Sequence, residues 1–182
     1  MFALVLLAAV YLAMFISQPF ITLFHEMGHA VAYLILTKPD KIDIYIGSYG
    51  KAKQSYRVKI GKLQVYVKKS FPFIRGGGYC QSYAYEENYI NRIIILSAGP
   101  LASVLIAIIL GWIAITFNLH GSIKMLCFIL IIFSVISLIR NIVPSKISLN
   151  DGRYIGNDGK QILFTIKIRK VYKDYVLSLI HI

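Results

Sequence analysis

Phe20-Ile21-Thr22-Leu23-Phe24-His25-Glu26-Met27-Gly28-His29-Ala30-Val31-Ala32-Tyr33-Leu34-Ile35-Leu36 sets three adjacent ionisable side chains inside an otherwise apolar run. On a helix, His25 and His29 stand four residues apart on one face, one turn from each other, where two imidazoles grip one metal ion. Zinc takes imidazole nitrogen at about 2.0–2.1 Å, and a catalytic site has roughly three protein ligands and one open position. Two histidines therefore leave one ligand to find. Glu26 borders the grip and suits a general base better than a ligand. The bland alternative is that the three side chains satisfy one another in a bundle, or line a proton or metal path. Against it, ionisable residues are expensive in a membrane-spanning block, and these three stand at the spacing a metalloprotease helix uses.

The surrounding composition points to lipid. Hydrophobic residues make up 57% of the 182-residue chain, above the roughly 45–50% of soluble domains. They gather in three blocks, 2–36, 93–117 and about 125–143, each near or beyond the ~20 residues that cross a bilayer. The expected fold is an α-helical integral membrane protein, one domain over 1–182, with a three-helix core. The first block reaches roughly 50 Å if wholly helical, so a tilted helix bent at Pro19 is expected. No Lys or Arg precedes it, as a cleaved signal peptide would require.

The net charge of +12 is informative through its distribution. All Lys and Arg except Lys124 lie between Lys38 and Arg92 or from Arg140 onward. Positive loops stay cytoplasmic, which places the N-terminus outside and both the 37–92 loop and the C-terminus inside. The same charges suit anionic lipid head groups, and no nucleic acid is needed to explain them. Cys80 and Cys127 fall toward opposite sides of the membrane, so neither a disulfide nor a Cys-based zinc site is expected.

From Lys41 to Val67 the pattern alternates, through Ile42, Ile44, Ile46, then Tyr56, Val58, Ile60, then Leu63, Val65, Val67. This predicts a small antiparallel cytoplasmic sheet with one apolar face lying near the membrane. The segment Phe71–Tyr79, with Gly76, Gly77 and Gly78, predicts a mobile loop. It lacks the strand-to-helix context of a phosphate loop. The tail from Gly159 onward reads equally as helix or strand. The third ligand lies among Asp151, Asp158, Glu86, Glu87, Asp40, Asp43, His120 and His181, and the charge topology sets His120 on the far side from His29.

With these blocks in order, the chain resembles the site-2 protease group of intramembrane zinc metalloproteases, in a compact form without an inserted domain. The resemblance rests on His25-Glu26-Met27-Gly28-His29, on Ser97-Ala98-Gly99-Pro100-Leu101-Ala102 in the second block, and on Asn141 through Asp151-Gly152 after the third. It implies a single Zn2+ held by His25, His29 and Asp151, with Glu26 catalytic and Asn141 contacting substrate. Asp158-Gly159 is the rival pair, placed second by motif order. The chain departs from the pattern in a long spacer after Pro144, and in Ser103 where the Gly-Pro motif often continues to asparagine. Gly99 is expected to serve helix packing.

The implied activity is hydrolysis of a peptide bond in or near the membrane segment of a protein, typically a single-span regulator. An extended substrate is expected to add to the edge of the 41–67 sheet. One rival is a membrane-bound protease of soluble substrates with Glu86 or Glu87 as third ligand. The other is a non-enzymatic metal-handling protein. Oligomeric state is left open by the sequence.

Overall fold

The computed structural model describes the chain except residues 1, 49, 70–76, 84–87, 149–153 and 181–182, and the side chains of 2–10, 14 and 172–180. The elements run α1 (Phe2–Leu36), β1 (Ile42–Ile46), β2 (Ser55–Ile60), β3 (Leu63–Lys68), β4 (Gly78–Ser82), α2 (Tyr89–Thr116), α3 (Gly121–Ile142), β5 (Lys146–Ser148), β6 (Tyr154–Gly156) and α4 (Asp158–Ile180). Among the described residues, Tyr11–Leu36 of α1, all of α2 and all of α3 are long and apolar enough to cross a membrane. Their outer faces expose large apolar side chains, Ile115 reaching 84% exposure, as suits contact with lipid. Hydroxyls between the helices are satisfied locally: Ser17 donates to the Ala13 carbonyl at 2.6 Å and Ser134 to that of Leu130 at 2.9 Å.

The expected first block coincides with α1, which continues through Pro19 as one helix. Close approach of α1 to α2 depends on small residues. A Cβ on Gly28 would collide with the Ala98 carbonyl and stand 2.7 Å from the Ala102 methyl, so glycine lets the two backbones touch. Thr37 closes the last turn of α1, and Lys38 takes a left-handed conformation (φ 45°) before Pro39 turns the chain away.

The sheet has the order β2-β3-β1-β4. It is mixed rather than antiparallel: β2–β3 and β1–β4 are antiparallel, but β1 runs parallel to β3, with Ile44 opposite Val65. The alternation gave the apolar face of β1 and β3, but Gln64, expected on the solvated face, is buried, and Tyr56, Val58 and Ile60 of β2 are exposed. Alternation could not give the pairing, because the β2–β3 hairpin inserts beside β1 as a unit, turning at Gly61 (φ 59°). The apolar face, with Ile42, Ile44, Ile46, Leu63, Val65 and Val67, packs on Leu23, Met27, Ala30 and Leu34 of α1. Tyr45 stacks on Tyr66 across the opposite face at 4.7 Å between ring centroids. Gly78 and Tyr79, read from sequence as part of a loop, open β4; the rest of that predicted loop, through Gly76, lies outside the described residues.

The tail is resolved in favour of helix. β5 and β6 form an antiparallel hairpin with Lys146 opposite Gly156, which returns the chain to the end of α3. There Asn157 starts α4, which packs on α2 and α3. A Cβ on Gly159 would run into the Ile142 carbonyl, so α4 can meet the end of α3 only with glycine at that position.

A candidate metal centre at the junction of three helices

His25 and His29 project from α1 toward α2, and both rings are held by groups of α2. The Nδ1 of His29 lies 2.7 Å from the Ile95 carbonyl oxygen. A carbonyl only accepts, so this nitrogen carries the proton and a neutral His29 has a bare Nε2. The Nδ1 of His25 lies 3.1 Å from the Ser103 hydroxyl. The two Nε2 atoms face each other at 3.3 Å.

The third donor comes from the first turn of α4. Asp158 Oδ2 lies 3.0 Å from His25 Nε2 and 3.4 Å from His29 Nε2. All three residues are buried. Asp158 is thus the carboxylate brought to the histidine pair, whereas Asp151, expected there by motif order, lies outside the described residues. The physical reason is the β5–β6 hairpin. It spans the long spacer noted after Pro144 and delivers the second Asp-Gly pair to the end of α3. Burial works to raise the Asp158 carboxyl, but without metal the His25 and His29 rings, donating from Nε2 when they carry a proton there, outweigh it and hold the group down to about 2, leaving an anionic donor.

The donor set fits zinc. Tetrahedral bonds of about 2.0–2.1 Å imply ligand-to-ligand separations of about 3.3 Å, and the triangle measured here has edges of 3.0, 3.3 and 3.4 Å. Gly99 keeps the triangle open: a Cβ there would collide with His29 Nε2 and stand 2.8 Å from His25 Nε2. The role expected for Gly99, plain packing, is therefore incomplete, since it borders the metal position itself.

Glu26 is buried beside this triangle. It receives a hydrogen bond from the backbone N–H of Cys80 in β4, and a Cβ on Gly78 would collide with its carboxylate. The sheet thus fixes the catalytic candidate from above while α1 fixes it from below. His25, Glu26, His29, Asn141, Asp158 and the strand β4 line one cavity of about 520 Å³, within the size of small-ligand and peptide sites. Asn141 reaches this cavity with its amide donating to the Ser137 carbonyl at 2.9 Å.

The remaining candidates fall elsewhere. His120 caps the opposite end of α3. Asp43 is buried in the sheet and pairs with Lys41 at 2.8 Å. Asp40 is exposed, and Glu86, Glu87 and His181 lie outside the described residues.

Asn157 was not singled out from the sequence, yet it organises the ligand. Its amide donates to the carbonyls of Arg140 and Val143, both at 2.6 Å, and its Oδ1 accepts from the backbone N–H of Ser145 and Lys160 at 2.9 and 3.1 Å. The side chain caps the start of α4 while gripping the end of α3. Asparagine followed by Asp-Gly and Lys is a helix-start signal that could have revealed it.

Residues 1–149 match the family described as Peptidase M50B-like. The chain belongs to this family. Comparison with curated proteins and with solved structures gives no match. The matched region holds α1 with His25, Glu26 and His29, the four-stranded sheet, α2 and α3; it ends before both aspartates. As an M50 peptidase of the site-2 protease group, the chain is a multi-pass membrane protein of a zinc metalloprotease family, and among the described residues His25, His29 and Asp158 form a group that could hold a metal ion.

Proposed function

We propose that this M50B-like peptidase is an intramembrane zinc endopeptidase that hydrolyses a peptide bond within or near the membrane segment of a protein substrate. The observation that carries the reading is the triangle of His25 Nε2, His29 Nε2 and Asp158 Oδ2, with edges near 3.3 Å and Glu26 alongside, set on a span of a membrane peptidase family.

Zinc bound by these three residues supplies Lewis acidity, polarising the scissile carbonyl and acidifying water. Glu26 takes the proton from the attacking water and returns it to the leaving amine. The Cys80 N–H and the absence of a side chain at Gly78 hold its carboxylate at the floor of the cavity. A helical substrate hides its carbonyls in its own hydrogen bonds, so it must unwind before attack. The sheet has two edge strands, β2 and β4. Of these, β4 lines the cavity with Glu26, so β4 is the edge on which an extended substrate adds by main-chain hydrogen bonds. Asn141, at the same cavity, contacts the substrate backbone.

The basic loops orient the chain with its N-terminus outside and the sheet and α4 cytoplasmic, in a bacterial cell membrane. The activity belongs to regulated intramembrane proteolysis, with a single-span regulator as substrate.

The test is purification in detergent, measurement of bound zinc, and capture of substrate with Glu26→Gln. Zinc near one per chain, retained in Glu26→Gln while cleavage is lost, is the expected result. A chain that binds no zinc refutes the reading. A Glu26→Gln variant that still cleaves refutes Glu26 as the base, and a wild-type chain that binds zinc but cleaves nothing identifies a metal-handling protein instead.

A further inference from the structure

We propose that Ser103 is a positioning residue that locks His25 in the tautomer able to bind metal. The inference rests on His25 being a metal ligand. Its basis is the asymmetry of the two imidazoles. His29 has its Nδ1 held by a backbone carbonyl, which only accepts, so its Nε2 is committed to the metal side. His25 has its Nδ1 on a hydroxyl instead, and a hydroxyl can donate or accept.

The direction is set by a third group. The Ser103 hydroxyl also lies 3.3 Å from the Gly99 carbonyl, one turn back on α2. Ser103 has one proton, and the carbonyl can take only that role. With the proton directed to Gly99, the Ser103 oxygen accepts from His25 Nδ1–H and draws the ring proton away from Nε2, where the Asp158 carboxylate at 3.0 Å competes for it until metal takes that position. Were the hydroxyl to donate to Nδ1 instead, a neutral His25 would carry its proton on Nε2, inside the triangle, and could not ligate. Ser103 is 1% exposed, so water does not compete for the same bond. Gly99 therefore acts twice: its missing side chain clears space beside both Nε2 atoms, and its carbonyl fixes the Ser103 proton.

This gives the departure at position 103 a chemical meaning. Where the resembled motif continues to asparagine, this chain has a buried hydroxyl whose oxygen lies 3.1 Å from the His25 ring. Outer partners of ligating histidines typically govern about 10–100-fold of metal affinity.

The experiment measures zinc affinity by chelator competition for the wild-type chain, His25→Ala, Ser103→Ala and Ser103→Thr. It also records the cobalt(II) spectrum and the 15N shifts of the metal-free histidine rings, with His25 assigned from His25→Ala. The expected result is a roughly 10–100-fold weaker zinc affinity in Ser103→Ala. That variant should also show an altered cobalt spectrum and a His25 ring shifted from the Nδ1–H form toward a tautomer mixture. Ser103→Thr, which keeps the hydroxyl, recovers the wild-type tautomer. Unchanged affinity and unchanged ring shifts in Ser103→Ala overturn the inference while leaving the metal site standing. Weaker affinity matched by an equal loss of thermal stability in the metal-free chain, with ring shifts unmoved, overturns it as well. A wild-type chain that binds no zinc refutes the metal reading itself.

Discussion

Gly99→Ala is the sharpest perturbation the site offers, because one methyl group is added against two ligating nitrogens and almost nothing else changes. The new Cβ would collide with His29 Nε2 and stand 2.8 Å from His25 Nε2, about 0.6 Å inside the 3.4 Å at which ordinary contact begins. Neither ring can retreat freely, since Ile95 and Ser103 hold them from the same helix that carries Gly99. Relief by separating α1 from α2 would open the close contact at Gly28. Overpacking of this kind costs about 1–3 kcal/mol. If the strain is relieved by turning the rings off the triangle, zinc affinity falls by about 5- to 150-fold. Alanine is meanwhile favoured over glycine inside a helix by roughly 1 kcal/mol, so the metal-free chain changes in stability by no more than about 2 kcal/mol. Gly111→Ala is the control: it lies on the same helix, and the nearest atom to its Cβ is 3.9 Å away. The assay is chelator competition for zinc with thermal unfolding followed by circular dichroism in detergent. Wild-type zinc affinity in Gly99→Ala would refute the placement of the metal among His25, His29 and Asp158.

The other expectations concern the same junction. Asp158→Asn removes the anionic donor and should abolish stoichiometric zinc, measured by elemental analysis, whereas Asp151→Asn should retain it; the reverse outcome restores the ligand expected from motif order. Asn157→Ala leaves the Arg140 and Val143 carbonyls and two backbone N–H groups without their partner. These bonds are part-buried, so water can replace some of them; at about 0.5–1.5 kcal/mol for each net hydrogen bond lost, the change should lower the unfolding midpoint and weaken zinc binding together. Removing metal with a strong chelator should stop cleavage of a model membrane substrate and zinc should restore it; cleavage that survives chelation contradicts the assigned chemistry. A proline at Ser82, which alternates with the β1-paired Tyr83 and so turns its N–H to the open edge of β4, should depress cleavage with zinc content unchanged, while a proline at Lys59 on the open edge of β2 should not; equal effects of the two would remove strand addition at β4.

How much of this was legible in the sequence differs by kind of signal. The three apolar blocks were readable because the bilayer imposes a minimum length on each, and α1 carries its whole metal grip within one turn, where spacing alone fixes geometry. Which carboxylate lies beside the histidine pair was not readable. Asp151 and Asp158 are each followed by glycine, and choosing between them needs the register of β5 against β6, a pairing of three-residue strands too short to announce themselves by alternation. Once Lys146 stands opposite Gly156, the chain between Ser145 and Asn157 closes on itself, and Asn157 can reach Ser145 from both backbone and side chain. Asp158 then follows where Gly159 lets α4 touch the Ile142 carbonyl. The sheet's pairing order and the part played by Ser103 were hidden for the same reason: each is set by what another segment presents.

That distribution of information says something about the site. The sequentially local half, His25, Glu26 and His29, supplies the reactive groups. The distant half supplies constraints: Ile95 and Ser103 orient the rings, Gly99 and Gly78 leave room, Cys80 N–H steadies Glu26, and Asn157 sets Asp158. A motif of five residues therefore forms a catalytic centre only after α2, β4 and α4 have docked on α1: metal affinity should report on the docking of α2 and α4, which hold or supply the donors, while loss of β4, which steadies Glu26, should appear as lost cleavage with zinc retained.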